Sequence, residues 1–239
     1  MSEQRVVPAW ILGISLFLGL SALGWLLGHA LLDMKQLERS VTVKGLSEHE
    51  YPADVVIWPI LFTEADNDLN RLYQTMDKGT QKINQFLSDR GIKADEITVN
   101  SPAITDKSAQ QYGGNSRAEF RYTATQTVTV YSSNIDVVRE AISDLSELGK
   151  QGLVLSGDNY QAQSEYLFTR LNDIKPQMIE EATQNAREVA EKFAADSNSH
   201  LGKIKRASQG QFSISARDNN NPHIKNVRVV STIEYYLSD

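Results

Sequence analysis

No cysteine occurs among the 239 residues. That excludes disulfide bridges, thiolate nucleophiles and cysteine-bound zinc together. A basic block is missing as well: 24 Lys and Arg are mixed with 30 Asp and Glu along the chain, for a net charge of −6. Nothing in that pattern neutralises a run of phosphates, so nucleic acid is not an expected partner. Histidine is scarce. His29, His49, His200 and His223 are far apart, and no pair is spaced as H-x-x-x-H. The chain also lacks G-x-S-x-G, a P-loop and G-x-G-x-x-G. Gly113-Gly114 has no strand pattern before it and no lysine after it, so it reads as a loop. Glu180-Glu181 falls in a long helical pattern and reads as a solvated face. General acid–base work needs convergent titratable groups, and none is visible. The expectation is a protein that is not an enzyme and uses no metal or cofactor.

Charge is absent from one further place. Val6 to Leu32, 27 residues, contains no Asp, Glu, Lys or Arg. As an α-helix this run is about 40 Å long. A cleavable signal has an apolar core of roughly 7–15 residues, whereas a spanning helix needs roughly 17–25. Length therefore points to a retained anchor. Pro8 sits near the start, where a helix tolerates it, and Trp10 and Trp25 are rings of the kind enriched at membrane interfaces. His29 reads as interfacial. Gly28-His29-Ala30 puts small residues where a signal peptidase cuts, so a secreted form after cleavage near Ala30 stands as the alternative. Ser15 and Gly19, and Gly24 and Gly28, are spaced four apart, as in helices that pack closely in lipid. These four are the expected membrane-helix packing residues. Only Arg5 precedes the run, while Lys35, Arg39 and Lys44 follow it. Charge counting alone would leave the C-terminal part in the cytoplasm.

Hydrophobic content of 41% lets the remainder bury a core. Residues 1–39 are assigned to the anchor and a short linker, and 40–239 to one α+β domain. "SVTVKG" (Ser40 to Gly45) reads as a strand ending at its glycine. "DVVIWPILF" (Asp54 to Phe62) reads as a strand whose Pro59 demands an edge or a bulge. Leu69, Leu72, Tyr73, Met76, Ile83, Phe86 and Leu87 share a helical face, with a cap among Asp66, Asn67 and Asp68 and a stop at Gly91. "EITVNSPAI" (Glu96 to Ile104) is the next strand. "RYTATQTVTVY" (Arg121 to Tyr131) follows, its apolar face interrupted by Gln126.

Asn134 caps a second helix through Val138, Ala141, Ile142, Leu145 and Leu148, closed by Gly149. Strands are expected near Leu153 to Leu155 and Gln161 to Phe168. The third helix has Pro176 in its first turn and buries Met178, Ala182, Ala186, Val189, Ala190 and Phe193. Strands near Lys203 to Ile214 and along "NVRVVSTIEYYL" (Asn226 to Leu237) finish the chain. In Tyr235-Tyr236 one ring should be core and the other surface. "RDNNNPH" (Arg217 to His223) reads as a hairpin tip, with a role in interaction as the alternative. The fold class is α+β: antiparallel strand pairs alternating with three helices, preceded by one N-terminal transmembrane helix.

Four stretches together resemble the SIMPL-domain family. They are "VTVKGLSEHEYPADVVIWPI", with V-x-V-x-G before P-x-D, then "GIKADEITVNSPAI", then "FRYTATQTVTVYSSNIDVVREAISDLSELG", and "EEATQNAREVAEKFAADSNSHLGKIKRASQG", an Ala-rich helix running into L-G-x-I. The resemblance spans about Ser40 to Asp239. The second glycine usual after the opening strand is replaced by Leu46-Ser47, and the loop Asp106 to Asn115 lacks the family's proline-aromatic string. The resemblance implies an exported or envelope-tied protein of Gram-negative bacteria, linked to oxidative-stress tolerance, with no established catalytic residues. Some members assemble into large hollow homo-oligomers. The chain is accordingly expected as a single-pass inner-membrane protein with its C-terminal domain in the periplasm. Its expected partners are inner-membrane lipid and copies of itself, a ring being one arrangement, and any small-molecule ligand is unknown. A small-molecule-binding module, with a pocket between helices and sheet, is the alternative reading.

Overall fold

The computed structural model describes residues 6–36, 39–109, 119–156 and 162–238. The first element, α1 (Val6–Gln36), contains Trp10–Leu31, 22 residues of mean hydropathy 2.0, none of them buried. That segment is long and apolar enough to cross a membrane, a property that anchors and signal sequences share.

The remaining elements alternate as an α+β chain: β1 (Ser40–Pro52), β2 (Val55–Asp66), α2 (Leu69–Asp89), β3 (Ile97–Val99), β4 (Ala103–Asp106) and β5 (Tyr122–Ser132) come first. Then follow α3 (Ile135–Ser143), α4 (Ser146–Lys150), β6 (Val154–Leu155), β7 (Glu165–Leu167), α5 (Leu171–Asp196), β8 (His200–Gln209), β9 (Ser213–Ala216) and β10 (Ile224–Ser238). Contacts divide the chain into two units. One comprises Met1–Glu48, Lys175–Ser213 and Arg228–Asp239, the other His49–Ile174 and Ile214–Val227.

In the first unit the strands lie in the order β1-β10-β8. Gly45 does not end β1, as the sequence suggested; the strand continues to Pro52. The glycine serves a different purpose. A Cβ there would lie 1.8 Å from the Ala182 carbonyl oxygen and 2.4 Å from the Ala186 nitrogen. Helix α5 therefore rests on the bare backbone of β1. Its buried stripe is Met178, Ala182, Ala186, Ala190 and Ala194, every fourth residue, small enough for that approach. Val189 and Phe193, expected inside, are 37% and 55% exposed because they lie on the flank of this stripe. Pro176 is inside α5, whose first residue is Leu171, rather than in its first turn. Val43, Ile233 and Tyr235 complete the core against Ala186 and Ala190. Tyr235 is 3% exposed and Tyr236 37%, one ring in and one out.

In the second unit β2 is central, flanked by β5 on one side and by β6 and β7 on the other. The β2–β5 register runs unbroken from Val56↔Ser132 to Asp66↔Tyr122, so Pro59 brings neither a bulge nor a sheet edge. Leu61 accepts from Ser156 on the β6 side, and a period of two turns Pro59 the same way. Its missing donor falls in the gap between β7, paired at Val55–Ile57, and β6, paired at Phe62 and Thr63. The strand expected over Glu96 to Ile104 is two, β3 and β4, both on β5. Gln126, 8% exposed, fills the interruption: its Nε2 donates to the Asn100 carbonyl (2.7 Å) and its Oε1 accepts from Thr80 (3.0 Å). A polar residue on an apolar face is thereby satisfied at both ends of its amide.

Asp68 caps α2, accepting from the Arg71 N–H (2.9 Å), and Gly91 takes φ +81° after the helix. The second soluble helix is interrupted. Asn134 caps α3, but the chain breaks at Asp144-Leu145 before α4, and the left-handed glycine is Gly152 (φ +87°), not Gly149. Arg90 bridges the break, 3.2 Å from Asp144 and 2.7 Å from Glu147. Helices α2, α3 and α4 cover the face of Val56, Trp58, Ile60, Phe62, Val128 and Val130.

Gly45→Ala should force α5 off β1, because its nearest obstacles are backbone atoms with no rotamer to change. We expect a cost on the order of 3 kcal/mol, a Tm fall of about 6–12 °C for the detergent-solubilised chain. Gly149→Ala, with nothing within 4 Å of the added Cβ, should stay within about 1 kcal/mol of the parent. Equal thermal unfolding of the two variants would refute the close-contact account.

Candidate functional site

Charged and aromatic side chains meet in the second unit, around the corner Pro52-Ala53-Asp54 between β1 and β2. Ala53 N donates to the His223 carbonyl (2.8 Å) and Asp54 N to the Leu167 carbonyl (2.8 Å). The Asp54 carboxylate, 15% exposed, accepts from Thr169 N (2.9 and 3.0 Å), Arg170 N (3.2 Å) and Arg170 Nε (3.3 Å). Thr169 and Arg170 lead directly into α5. A carboxylate from 115 residues upstream thus occupies the positive end of that helix, where backbone donors lack intrahelical partners. Burial pushes the Asp54 pKa up, but the hydrogen bonds from Thr169 and Arg170 outweigh it and hold the carboxyl below its ordinary value.

Rings and ion pairs surround the corner. Tyr51 stacks on Phe168 at 5.4 Å, His49 lies 6.2 Å from Tyr51, and Tyr166 meets His223 nearly edge-on at 6.1 Å. "RDNNNPH" is the β9–β10 turn, as its composition indicated. Asp218 accepts from Asn220 N (2.9 Å) and Asn221 N (2.8 Å). Arg217 pairs with Asp218 (2.9 Å) and with Glu50 (3.5 Å). The Arg217 guanidinium, with the turn's hydrogen bonds, lowers the Asp218 pKa to about 2. Burial, then the charges of Arg139 and Arg217, lower the pKa of His223, so its imidazole is neutral at pH 7. The chemistry of this cluster is ion pairing and ring packing, which fix a turn and the start of a helix.

The other sequence-derived candidates are scattered. In α1, Ser15 Oγ donates to the Leu12 carbonyl (3.0 Å), and a Cβ on Gly19, Gly24 or Gly28 would meet nothing within 4 Å. At about 100° per residue, Ser15/Gly19 and Gly24/Gly28 lie on opposite faces of the helix. One neighbouring helix cannot cover both. His29 meets the Trp25 ring edge-on at 4.5 Å. Among the described residues no three of His, Asp and Glu are grouped to hold a metal ion. Glu180 and Glu181 are not alike: Glu180 is exposed, while Glu181 is half-buried and accepts from Ser47 Oγ (2.8 Å). Gly113-Gly114 and part of the loop Asp106 to Asn115 lie outside the described residues.

Between the helices and sheet of the second unit, where a ligand pocket would have to sit, Phe62, Leu72, Met76 and Ile83 are each at most 1% exposed. An open groove beside α2 and α4 is lined by Lys78, Lys82, Arg90, Glu147 and Gln151. Lys82 already donates to the Gln151 carbonyl (2.8 Å) and Arg90 to Glu147 (2.7 Å).

Sequence reading missed Asp54 as an anchoring group. Its one mark was the P-x-D spacing inside "YPADVVIWPI". The model of the SIMPL family, described as a protein of unknown function (DUF541), matches residues 41–231. No curated protein matches the chain.

Asp54→Asn tests the corner. The folded-state pKa of Asp54 lies below the ordinary value near 3.9, so its ionised form stabilises the fold in full above that value and loses the contribution as pH falls through the folded-state pKa. The variant should unfold more easily than the parent at pH 7, and the gap should close in acid below about pH 4. A gap unchanged from pH 7 to the acid limit would show that the charge contributes nothing.

Proposed function

The chain belongs to the SIMPL family, and from that footing we propose a single-pass inner-membrane protein whose SIMPL domain faces the periplasm, self-assembles, and supports tolerance of envelope and oxidative stress without catalysis. The observation that carries the reading is α1. Its 22-residue apolar segment has no cover among the described residues, and the family match begins at residue 41, just after the helix ends at Gln36. The span exceeds what a signal core needs and matches what a bilayer needs. Retention as an anchor follows, with Trp10 and Trp25 as interfacial rings. Arg5 against Lys35, Arg39 and Lys44 would by count favour a cytoplasmic domain, but long domains cross largely regardless of charge. The periplasmic side is the setting the family resemblance implies.

Self-association draws support from the face of the β2–β5 sheet opposite its helices. Four threonines of β5 alternate there with the buried positions, beside half-buried Ile57 and Pro59. Tyr131 is 56% exposed and Val154 63%. Apolar and threonine-rich surface of this kind suits a symmetric contact between copies. Edge pairing through β8 is disfavoured by Lys203, Lys205 and Arg206, which blunt a strand edge.

Alkaline phosphatase fused at the C-terminus should be active in cells; an inactive fusion places the domain on the other side. Light scattering of the detergent-extracted protein should give a particle of several 26.7 kDa chains. A clean monomer at micromolar concentration removes the assembly.

A further inference from the structure

One end of the first unit is fixed to the point where the chain leaves α1. Arg39 receives the Leu237 N–H on its carbonyl (2.9 Å) and donates through Nη2 to Ser199 Oγ (3.1 Å). Ser40 Oγ donates to Glu234 (2.6 Å). Leu237↔Leu201 and Ser238↔His200 close the β8–β10 pairing there. Helix α5 ends at the same place, with Ser197 N donating to the Phe193 carbonyl (3.1 Å) and Ser199 N to the Ala194 carbonyl (2.8 Å). Two aromatic rings near this end are exposed, Phe193 on the flank of α5 at 55% and Tyr236 at 37%, the latter on the sheet face away from α5 with the Lys205 ammonium 5.7 Å over its ring.

Covalent geometry limits how far this end can be from the lipid. Five helical residues past Leu31 carry the chain about 7.5 Å. Three virtual bonds from Gln36 to Arg39 add at most about 11 Å. The headgroup layer itself is about 5–8 Å deep on each side. Arg39 therefore lies within about 14 Å of the headgroup surface even at full stretch. Basic and acidic groups alternate around it. Lys205 is paired with Glu234 (3.0 Å), and His200 shares the rim with Glu191. Exposed aromatic rings favour the interface itself.

We propose that Phe193 and Tyr236 seat this end of the unit in the headgroup layer of the bilayer that α1 enters, a second lipid contact beside the spanning helix. The inference rests on the anchored reading above. Because the chain has no cysteine, single thiols report on it directly. Phe193→Cys, Tyr236→Cys, Gln209→Cys and Gly24→Cys, each in the full chain, are labelled with an environment-sensitive fluorophore and reconstituted in phosphatidylcholine vesicles. Gln209 is the exposed far end of β8, about 30 Å from His200. With nitroxide-headgroup lipid present, labels at 193 and 236 lose fluorescence and the label at 209 keeps it. Adding anionic lipid leaves this pattern unchanged. The label at 24 is quenched by acyl-chain nitroxide. If 24 is quenched while 193 and 236 behave like 209, the anchor stands and the second contact is refuted. Labels at 193 and 236 shielded from aqueous iodide but untouched by lipid nitroxide would assign that end to a second copy, which also refutes it. An unquenched label at 24 overturns the anchored reading and this inference with it.

Discussion

An apolar helix that none of the described residues covers sets the terms for the rest of this chain. Trp10, Phe17, Trp25 and Leu31 are 69%, 71%, 66% and 64% exposed, and the large residues between them are similar. Removing each such side chain from water gains about 1.5–3 kcal/mol. Summed over the span, that exceeds the roughly 5–15 kcal/mol by which a whole domain is stable. Among the described residues none covers it, a state that suits a membrane anchor or a signal segment that is cut away. Its length and its Trp10 and Trp25 rings are what the proposed anchor rests on. With β1 starting at Ser40, four residues past Gln36, the proposed anchor would hold the folded body close to the membrane surface.

Much of the body was legible because its signals are local. The alternation of β5, the Asp68 cap and the left-handed Gly91 follow from neighbours within a few residues. The misreadings share a cause, a partner distant in sequence. Gly45 looks like a strand terminator until Ala182 and Ala186 arrive against its backbone. Pro59 looks like an edge residue, yet β2 is central, and the proline falls where β6 and β7 leave a gap. Gln126 looks like a flaw in a face until Asn100 and Thr80 meet it. Val189 and Phe193 fit a helical stripe of period 3.6, but the alanines chose a stripe of every fourth residue, and the larger side chains were left outside.

The candidate site was less legible for the same reason. His49, Asp54, Tyr166, Arg170, Arg217 and His223 come from three separate parts of the chain. Asp54 carried only the P-x-D spacing as a clue, while its role depends on Thr169 and Arg170. The four histidines carry no metal-ligand spacing in the sequence, whereas the burial and the two arginines around His223 belong to the fold alone. At this corner one short segment is hydrogen-bonded to the hairpin tip, to the end of β7 and to the residues that lead into the long helix.

The claim beneath the functional reading is that the apolar helix stays attached and in lipid. The intact mass of the protein extracted by detergent from washed membranes tests it most directly. The account predicts the full 26.7 kDa chain, absent from the buffer wash. A shorter species beginning near residue 31 and recovered in that wash would contradict it.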